Sequence, residues 1–324
     1  MSSPAVSSRA RLFGLICCAA VLAGCTTGQP ADTARTDSTR TTIPSGAIGG
    51  QTVDTAFASA ALRAIDPCGL LDQNTLRQLG TSSQPATQNE IDSCSADLDD
   101  GKGKSLGIEV IIGGDLASTT ASGTIAGLPV KEEATDTDCG ERLITQHNPT
   151  TGIEIRVNYN GAAACVIARQ LAGLVVNHIR TKAPQRPNGV SSVVLINPCD
   201  TIDDATAQNL TAVGPGKTVE GLFKCDWQAG DYDLSVEYTL GGNPKDDTFN
   251  GTPQPVDVGV PAYAFSSKDV YPSCDVKWLV RSVGSGQGEV VDVQFGDVLG
   301  GTLDPCTQAQ AAAKVVAAKV PHAS

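Results

Sequence analysis

Ile65-Asp66-Pro67-Cys68 and Ile196-Asn197-Pro198-Cys199 are two versions of one motif, and the sequence that follows each of them is also repeated. In each copy a second cysteine comes 26 residues after the first, at Cys94 and at Cys225. Further landmarks recur in the same order: residues 108–114 match 236–242, residues 127–130 match 259–262, and Cys139 and Cys165 match Cys274 and Cys306. Landmarks that recur in a fixed order are typical of a duplicated structural unit. The sequence therefore predicts two tandem copies of one domain.

The composition places the chain among folded globular proteins. It has 324 residues, of which 40% are hydrophobic and 18% are charged, which is enough chain for two domains. The 23 basic and 35 acidic residues give a net charge of −12. An acidic surface repels phosphate backbones, so nucleic acid is excluded as a partner class.

The N-terminus resembles a bacterial lipoprotein signal. Arg9 and Arg11 form a basic segment, and Leu12–Ala23 is an apolar segment too short to span a bilayer. It ends in Leu22-Ala23-Gly24-Cys25, which looks like a lipobox. The sequence thus predicts a signal peptide over residues 1–24, a diacylglycerated Cys25 and a protein anchored to the extracytoplasmic face of the cell membrane. The alternative is an ordinary secretory signal that contains a chance cysteine.

Three segments follow the predicted cleavage site. Residues 25–60 are rich in Thr, Ser, Gly, Pro and Asp and have no sustained apolar period, which indicates a lipidated, flexible tether. Residues 61–184 form the first repeat and residues 190–324 the second.

The cysteine count agrees with this organisation. Of the eleven cysteines, Cys17 and Cys18 lie in the signal peptide and Cys25 is the lipidation site, which leaves four in each repeat. Four cysteines allow three pairings, and the sequence does not choose between them. The repeated 26-residue spacing favours four disulfides: Cys68–Cys94, Cys139–Cys165, Cys199–Cys225 and Cys274–Cys306. A zinc site is the alternative, but the chain contains no C-x-x-C pair and only three histidines.

The hydrophobic periodicity outlines the fold of each repeat. Pro67 and the leucines up to Leu79 predict a short amphipathic helix that Gly80 ends. Alternating apolar and polar residues over 231–240, and again over 153–157 and 291–295, predict half-buried strands. An apolar stripe from Cys165 to Ile179 predicts a closing helix. The fold class is therefore α+β: two tandem sandwich domains, each an antiparallel sheet covered by an N-terminal and a C-terminal helix.

A lipobox, a Pro-Cys motif that opens a helix and Cys225-Asp226-Trp227 about 26 residues later together resemble the actinobacterial lipoprotein family called domain of unknown function 3558. The first repeat keeps Asp66-Pro67-Cys68 but has Ser95-Ala96 after Cys94, so the tryptophan is missing there. The resemblance implies an α/β sandwich similar to that of PsbP and Mog1. It implies no activity and no catalytic residues.

Three glycine-rich or acidic segments resemble ligand-binding loops without meeting their requirements. Residues 214–218 resemble the end of a P-loop, but Thr211 stands where the first glycine should be, and a helix precedes the segment. Residues 97–101 resemble a calcium loop, but the position of its bidentate glutamate is Ile108. We interpret these segments, and residues 284–288, as loops or hairpins; weak surface binding of calcium at residues 97–101 is the alternative.

The titratable residues do not form a recognisable catalytic motif in the sequence. His147, His178 and His322 are far apart in sequence, and there is no Gly-x-Ser-x-Gly elbow. Glu109 and Glu237 occupy equivalent positions on the polar phase of their strands, which indicates solvated carboxylates rather than an acid–base pair.

Aromatic residues distinguish the two repeats. Residues 61–182 contain one, Tyr159, whereas the second repeat contains ten. Trp227 shares its strand phase with Cys225, which predicts that it packs in the core. Four others lie in or near a Pro/Gly-rich stretch and are candidates for a binding surface: Phe249, Tyr263, Phe265 and Tyr271. Packing beneath a long loop is the alternative for these four.

These observations favour a non-enzymatic, lipid-anchored envelope protein that binds a partner protein or a cell-wall component. A carrier of a small ligand or lipid, with a cavity between sheet and helices, is the second hypothesis, and a hydrolase-type enzyme is the third. No cofactor and no metal are expected, and the sequence does not predict an oligomeric state.

Overall fold

The computed structural model of the protein describes residues 54–160, 163–186, 192–212, 214, 216–249, 251–268, 270–284 and 286–322. These residues form two antiparallel sheets of seven strands each, one in each repeat, with few helices. The mixed α+β class and the two-sheet organisation predicted from the periodicity are confirmed.

The strands of the first sheet are β1 Thr87–Gln88, β2 Ser93–Asp99, β3 Ser105–Asp115, β4 Gly123–Ile125, β5 Leu128–Ala134, β6 Asp138–His147 and β7 Thr150–Tyr159. Those of the second are β8 Gly216–Val219, β9 Lys224–Ala229, β10 Tyr232–Gly241, β11 Gln254–Asp257, β12 Pro261–Ser267, β13 Ser273–Gly284 and β14 Gln287–Asp297. The spatial order is β1-β2-β3-β7-β6-β5-β4 in the first sheet and β8-β9-β10-β14-β13-β12-β11 in the second. The two orders are identical when each sheet is counted from its own first strand, as expected for a duplicated unit.

The α-helices are α1 Ser59–Arg63, α2 Pro67–Leu70, α3 Gln73–Leu76, α4 Ala164–Lys182, α5 Asp204–Thr211 and α6 Pro305–Ala317. Short 3-10 helices cover Thr55–Phe57, Pro198–Asp200 and Pro244–Asp246. The single helix predicted from Pro67 to Leu79 is wrong, because the backbone leaves the helical region at Leu71 and Asp72 starts a new helix. The Asp72 carboxylate accepts the N–H groups of Asn74 and Thr75, which is an N-cap.

Strand alternation gives each sheet two different faces. In β3, Leu106, Ile108 and Val110 are buried in the core, while Gly107 and Glu109 point to the opposite face. The long helix α4 contacts β6 and β7 on the core side, and α6 contacts β13 and β14 in the second repeat. We call the side of each sheet away from α4 or α6 its outer face. Full burial of each aliphatic side chain between helix and sheet contributes about 1.5–3 kcal/mol.

Four disulfides join the helices to the sheets: Cys68–Cys94, Cys139–Cys165, Cys199–Cys225 and Cys274–Cys306. They have the pairing that the 26-residue spacing favours, and they place the folded chain in an oxidising compartment outside the cytoplasm. None of the helices in the described part of the chain is both long and apolar enough to span a bilayer.

The repeats contact each other through a tight junction. The N–H of Leu222 donates to the carbonyl oxygen of Gly113 at 2.9 Å. Gly113 has φ +78°, and a β-carbon there would overlap the Leu222 side chain, so only glycine fits. The Arg186 guanidinium lies over the Phe223 ring, 5.8 Å from its centroid, and donates to the carbonyl oxygen of Ile91. One continuous cluster of buried side chains includes residues of both repeats.

The folded chain begins before residue 61. Phe57 is 1% exposed and belongs to the core, and Asp54 forms a salt bridge of 2.8 Å with Arg180 of α4. The prediction that the tether extends to residue 60 is therefore wrong at its C-terminal end, since one aromatic side chain is enough to fix this segment against the core. The signal peptide, Cys25 and the tether up to residue 53 lie outside the described residues.

Candidate functional site

The outer face of the first sheet carries a groove of about 500 Å³. It runs over β2, β3, β7 and β6. Nine of the fourteen residues that line it are polar or charged: Asn89, Ser95, Asp97, Gly107, Ile108, Glu109, Glu133, Asp138, Cys139, Gly140, Glu154, Arg156, Val157 and Asn158. This is the candidate functional site, and we call it the outer groove.

Two glycines provide the floor of the outer groove. Gly107 lies opposite Asn158, and Gly140 lies between Arg156 and Glu133, so each faces long polar side chains on the neighbouring strands. A β-carbon on Gly107 would have no neighbour nearer than 3.7 Å, and one on Gly140 none nearer than 3.9 Å. A β-carbon would therefore fit above both glycines in ordinary van der Waals contact, and over Gly140 it would meet only backbone atoms.

A chain of ion pairs crosses the outer groove from β3 to β5. Arg156 lies 3.4 Å from Glu109 and 3.1 Å from Glu154. Arg142 continues the chain, at 3.4 Å from Glu154 and 3.3 Å from Glu133. Hydrogen bonding to Glu154 raises the pKa of Arg156. The side chains that a ligand would meet are thus held in place by their neighbours, which lowers the entropic cost of binding.

The chemistry of the lining is that of a polar binding surface. Five carboxylates and one guanidinium line the outer groove, so it attracts cationic and hydrogen-bonding groups. Its lining contains no histidine, serine–histidine pair or thiol that could act as an activated nucleophile; Cys139 is in a disulfide with Cys165.

The equivalent positions of the second sheet are filled. Ser235 and Asp275 replace the two floor glycines, and the Gln294 amide donates to the Asp275 carboxylate at 2.8 Å. Phe265 is 3% exposed, and the Lys277 ammonium lies 5.9 Å from its ring centroid. Lys277 also pairs with Asp292 at 2.7 Å. At the positions of the two floor glycines the duplicated framework is therefore open in the first repeat and packed in the second. A separate pocket of about 440 Å³ lies elsewhere on the outer face of the second sheet, where Thr239, Gly241 and Lys277 line it.

A buried carboxyl on the second sheet has an unusual environment. Asp226 is 3% exposed, and neither of its side-chain oxygens has a hydrogen-bond donor within the described residues. The Lys224 ammonium lies 3.5 Å away but is nearer to Glu220, at 2.6 Å. Burial, together with the charges of Glu220 and Asp233, raises the pKa of Asp226 to about 7.

The four aromatic candidates do not form one binding surface. Phe265 is buried in the packed face, and Tyr263 is half-buried beside a smaller pocket of about 250 Å³ that Trp278 and His322 also line. Phe249 is 96% exposed in the connection between β10 and β11, and Tyr271 is 64% exposed in the connection between β12 and β13. Phe265 is buried on a strand and is therefore not part of an exposed binding surface.

The other segments singled out in the sequence lie in strands and in the connections between them. Residues 97–101 comprise the end of β2 and the first two residues of the turn to β3. Asp100 accepts the N–H groups of Lys102 and Lys104 and the Tyr159 hydroxyl. The loop that ends in β8 follows α5, as expected for a helix-to-strand connection. Glu109 forms an ion pair with Arg156, while burial raises the pKa of Glu237.

The histidines lie apart, with His147 at the end of β6, His178 on α4 and His322 beside the 250 Å³ pocket.

One trio of potential metal ligands lies close together within the described residues, namely Glu132, Cys139 and Cys165. The two sulfur atoms form a disulfide, so this trio is not a metal site.

Sequence reasoning missed most of the outer groove. Of its six charged residues, the sequence singled out only Glu109, as a solvated carboxylate, and Asp97, within a calcium-like segment. Gly107 and Gly140 carry no side-chain signal, and their importance follows only from the strand register.

Comparisons with known proteins do not assign the chain to a family. No protein-family model matches the chain, and a search of curated proteins found no match. The resemblance to domain of unknown function 3558 therefore stays a prediction.

Proposed function

We propose that this protein is a lipid-anchored, non-enzymatic binding module of the extracytoplasmic envelope, and that the outer groove of its first repeat holds the partner. The observation that supports this best is the contrast between the repeats: one framework leaves the outer face open over Gly107 and Gly140 and fills it over Ser235 and Asp275. We infer that each repeat is a helix-covered sandwich of the PsbP and Mog1 type.

The charge of the outer groove defines the chemistry of the partner. Five carboxylates and one guanidinium favour a partner segment that presents cationic and hydrogen-bonding groups, such as the basic part of an envelope protein. A cell-wall component with ammonium groups satisfies the same chemistry.

The packing of the core argues against the carrier hypothesis. The side chains of α4 that face the sheet are almost fully buried: Ala168, Leu171, Ala172, Val175, Val176 and Ile179. They fill the layer in which the carrier hypothesis places a cavity. A ligand released from the purified chain on denaturation, detected by native mass spectrometry, would restore that hypothesis.

Filling the outer groove tests the proposal. Gly140→Val places two methyl groups above the floor, and there is space for its β-carbon. A photo-crosslinking residue at Asn158, in the full chain in its native envelope, should capture a partner, and Gly140→Val should reduce capture at least tenfold.

The second repeat supplies matched controls. Gly296 lies on β14 with equal room for a β-carbon, so Gly296→Val should leave capture from Asn158 unchanged. The same photo-crosslinker at Gln294, the counterpart of Asn158, should capture no partner. Equal capture from both sites, or capture that Gly140→Val leaves intact, would contradict the groove as the binding site.

A further inference from the structure

Two neighbouring loops at one end of the second sheet expose apolar side chains. Val270 and Tyr271, before β13, are 85% and 64% exposed, and Val298 and Leu299, after β14, are 37% and 73% exposed. β13 and β14 are paired strands, so the loops lie side by side. We call these four residues the apolar tips.

Hydrogen bonds connect the described residues of the two loops. The Asp297 N–H donates to the carbonyl oxygen of Pro272 at 2.8 Å, which ties one loop to the other. The Asp297 carboxylate accepts the N–H groups of Leu299, Gly300 and Gly301, and these bonds lower its pKa.

The Tyr232 hydroxyl fixes the second half of the loop after β14. It accepts the N–H groups of Thr302 and Leu303, at 2.7 Å and 3.0 Å. A β-carbon on Gly301 would overlap the Tyr232 ring, so glycine is required for this approach. The exposure of Leu299 is therefore part of an ordered loop, and its apolar side chain is presented at low entropic cost.

The first repeat has no apolar tips. The loop that corresponds to Val270 and Tyr271 is Thr135-Asp136-Thr137, where both threonine hydroxyls donate to the Asp138 carboxylate. The loop that corresponds to Val298 and Leu299 begins Asn160-Gly161-Ala162. The apolar side chains are thus a property of the second repeat and not of the shared framework.

We propose that the apolar tips insert into the interfacial layer of the bilayer and orient the anchored protein on the membrane surface. This inference rests on the lipid anchor of the proposed function. A lipid on Cys25 is separated from Asp54 by 28 residues, which can span at most roughly 100 Å, so the tether allows the tips to reach the membrane.

A bilayer suits the size and chemistry of the tips better than a protein does. A stable protein interface engages about 20–30 residues on each side, whereas the tips are four side chains among polar loops. Aliphatic side chains and a tyrosine are the residue types that enter the boundary between headgroups and acyl chains. The exposed Lys268 beside the tips can contact lipid phosphates.

Fluorescence quenching by brominated lipid tests the insertion. The lipidated full chain is reconstituted in phosphatidylcholine vesicles that contain brominated phosphatidylcholine, as Tyr271→Trp and, in the matched loop of the first repeat, as Asp136→Trp. Both original positions are exposed, and the native Trp227 and Trp278 are buried, so the wild-type signal can be subtracted. Bromine should reduce the added fluorescence about twofold in Tyr271→Trp and not in Asp136→Trp. Val270→Asp combined with Leu299→Asp should abolish the quenching.

Flotation of the vesicles separates the anchor from the tips. A chain that floats with the vesicles, but whose Trp at position 271 is quenched no more than the one at position 136, overturns the insertion and leaves the anchor intact. A Trp at position 271 that bromine does not quench, but that is shielded from aqueous acrylamide, shows that protein covers the tips and also overturns the proposal. Failure of every variant to float overturns the anchor itself.

Discussion

At the scale of single residues, the second repeat departs from the first by placing charge where the first has small or polar groups. Asp226 corresponds to Ser95, and Asp275 corresponds to Gly140. The Asp226 carboxyl is buried without a hydrogen-bond donor among the described residues, an arrangement that disfavours its charged form. This residue therefore makes the stability of the fold depend on pH.

Asp226→Asn tests that dependence. Because the pKa of Asp226 is raised to about 7 in the folded state, the folded chain binds more protons than the unfolded chain between about pH 4 and pH 7, and its stability falls as the pH rises through this window. Asp226→Asn should flatten the fall and raise the free energy of unfolding at pH 8 by at least about 1 kcal/mol. Urea titrations at pH 4, 6 and 8 measure the free energy of unfolding. Asp231 is exposed, so Asp231→Asn is the control. An Asp226→Asn chain whose profile matches the wild type would contradict the assignment.

At the scale of elements, α4 is attached to its sheet by a disulfide and by a buried charge as well as by apolar packing. Glu141 of β6 is 1% exposed and lies 3.7 Å from Arg169 of α4, which also pairs with Glu132 of β5 at 2.7 Å. Removal of one partner from a buried ion pair costs more free energy than removal of one partner from an exposed pair.

Arg169→Met and Arg156→Met form a matched comparison. Arg169→Met should lower the free energy of unfolding by about 3 kcal/mol, and Glu141→Gln in the same chain should restore part of the loss. Arg156 is 54% exposed on the outer face, so Arg156→Met should cost less than about 1 kcal/mol. Equal losses in the two single variants, measured by urea unfolding, would show that burial does not set the strength of these pairs.

At the scale of the whole molecule, the two repeats form one body. Gly113, Leu222, Arg186 and Phe223 join them, and both belong to one compact unit with a continuous core. The outer groove and the apolar tips therefore have a fixed relation to each other. In the proposed function, the lipid anchor determines where this body is held.

Cys25→Ser should release the protein from the membrane without unfolding it, because the anchor is covalent and Cys25 precedes the folded residues. The variant should appear in the soluble fraction after fractionation, with its circular dichroism and its four disulfides unchanged. A Cys25→Ser chain that still sediments with membranes would refute the lipid anchor.

The sequence by itself determined the duplicated framework of this protein. Strand alternation, the helical apolar stripe from Cys165 and the 26-residue cysteine spacing are local or periodic signals, and the structure contains the elements and disulfides that they predict. The sequence did not predict the helix break at Leu71 or the burial of Phe57. A single helix cap and a single core contact do not produce a periodic sequence pattern.

Only the tertiary structure decided where the proposed binding surfaces lie. Gly107 and Gly140 are far apart in the chain, and the pairing of β3, β7 and β6 makes them the floor of one groove. The same pairing in the second repeat buries Phe265 and brings Tyr271 and Leu299 to one end of the sheet. The physical reason is that strand register and loop placement are set by non-local hydrogen bonds and packing, which residue spacing along the chain does not encode.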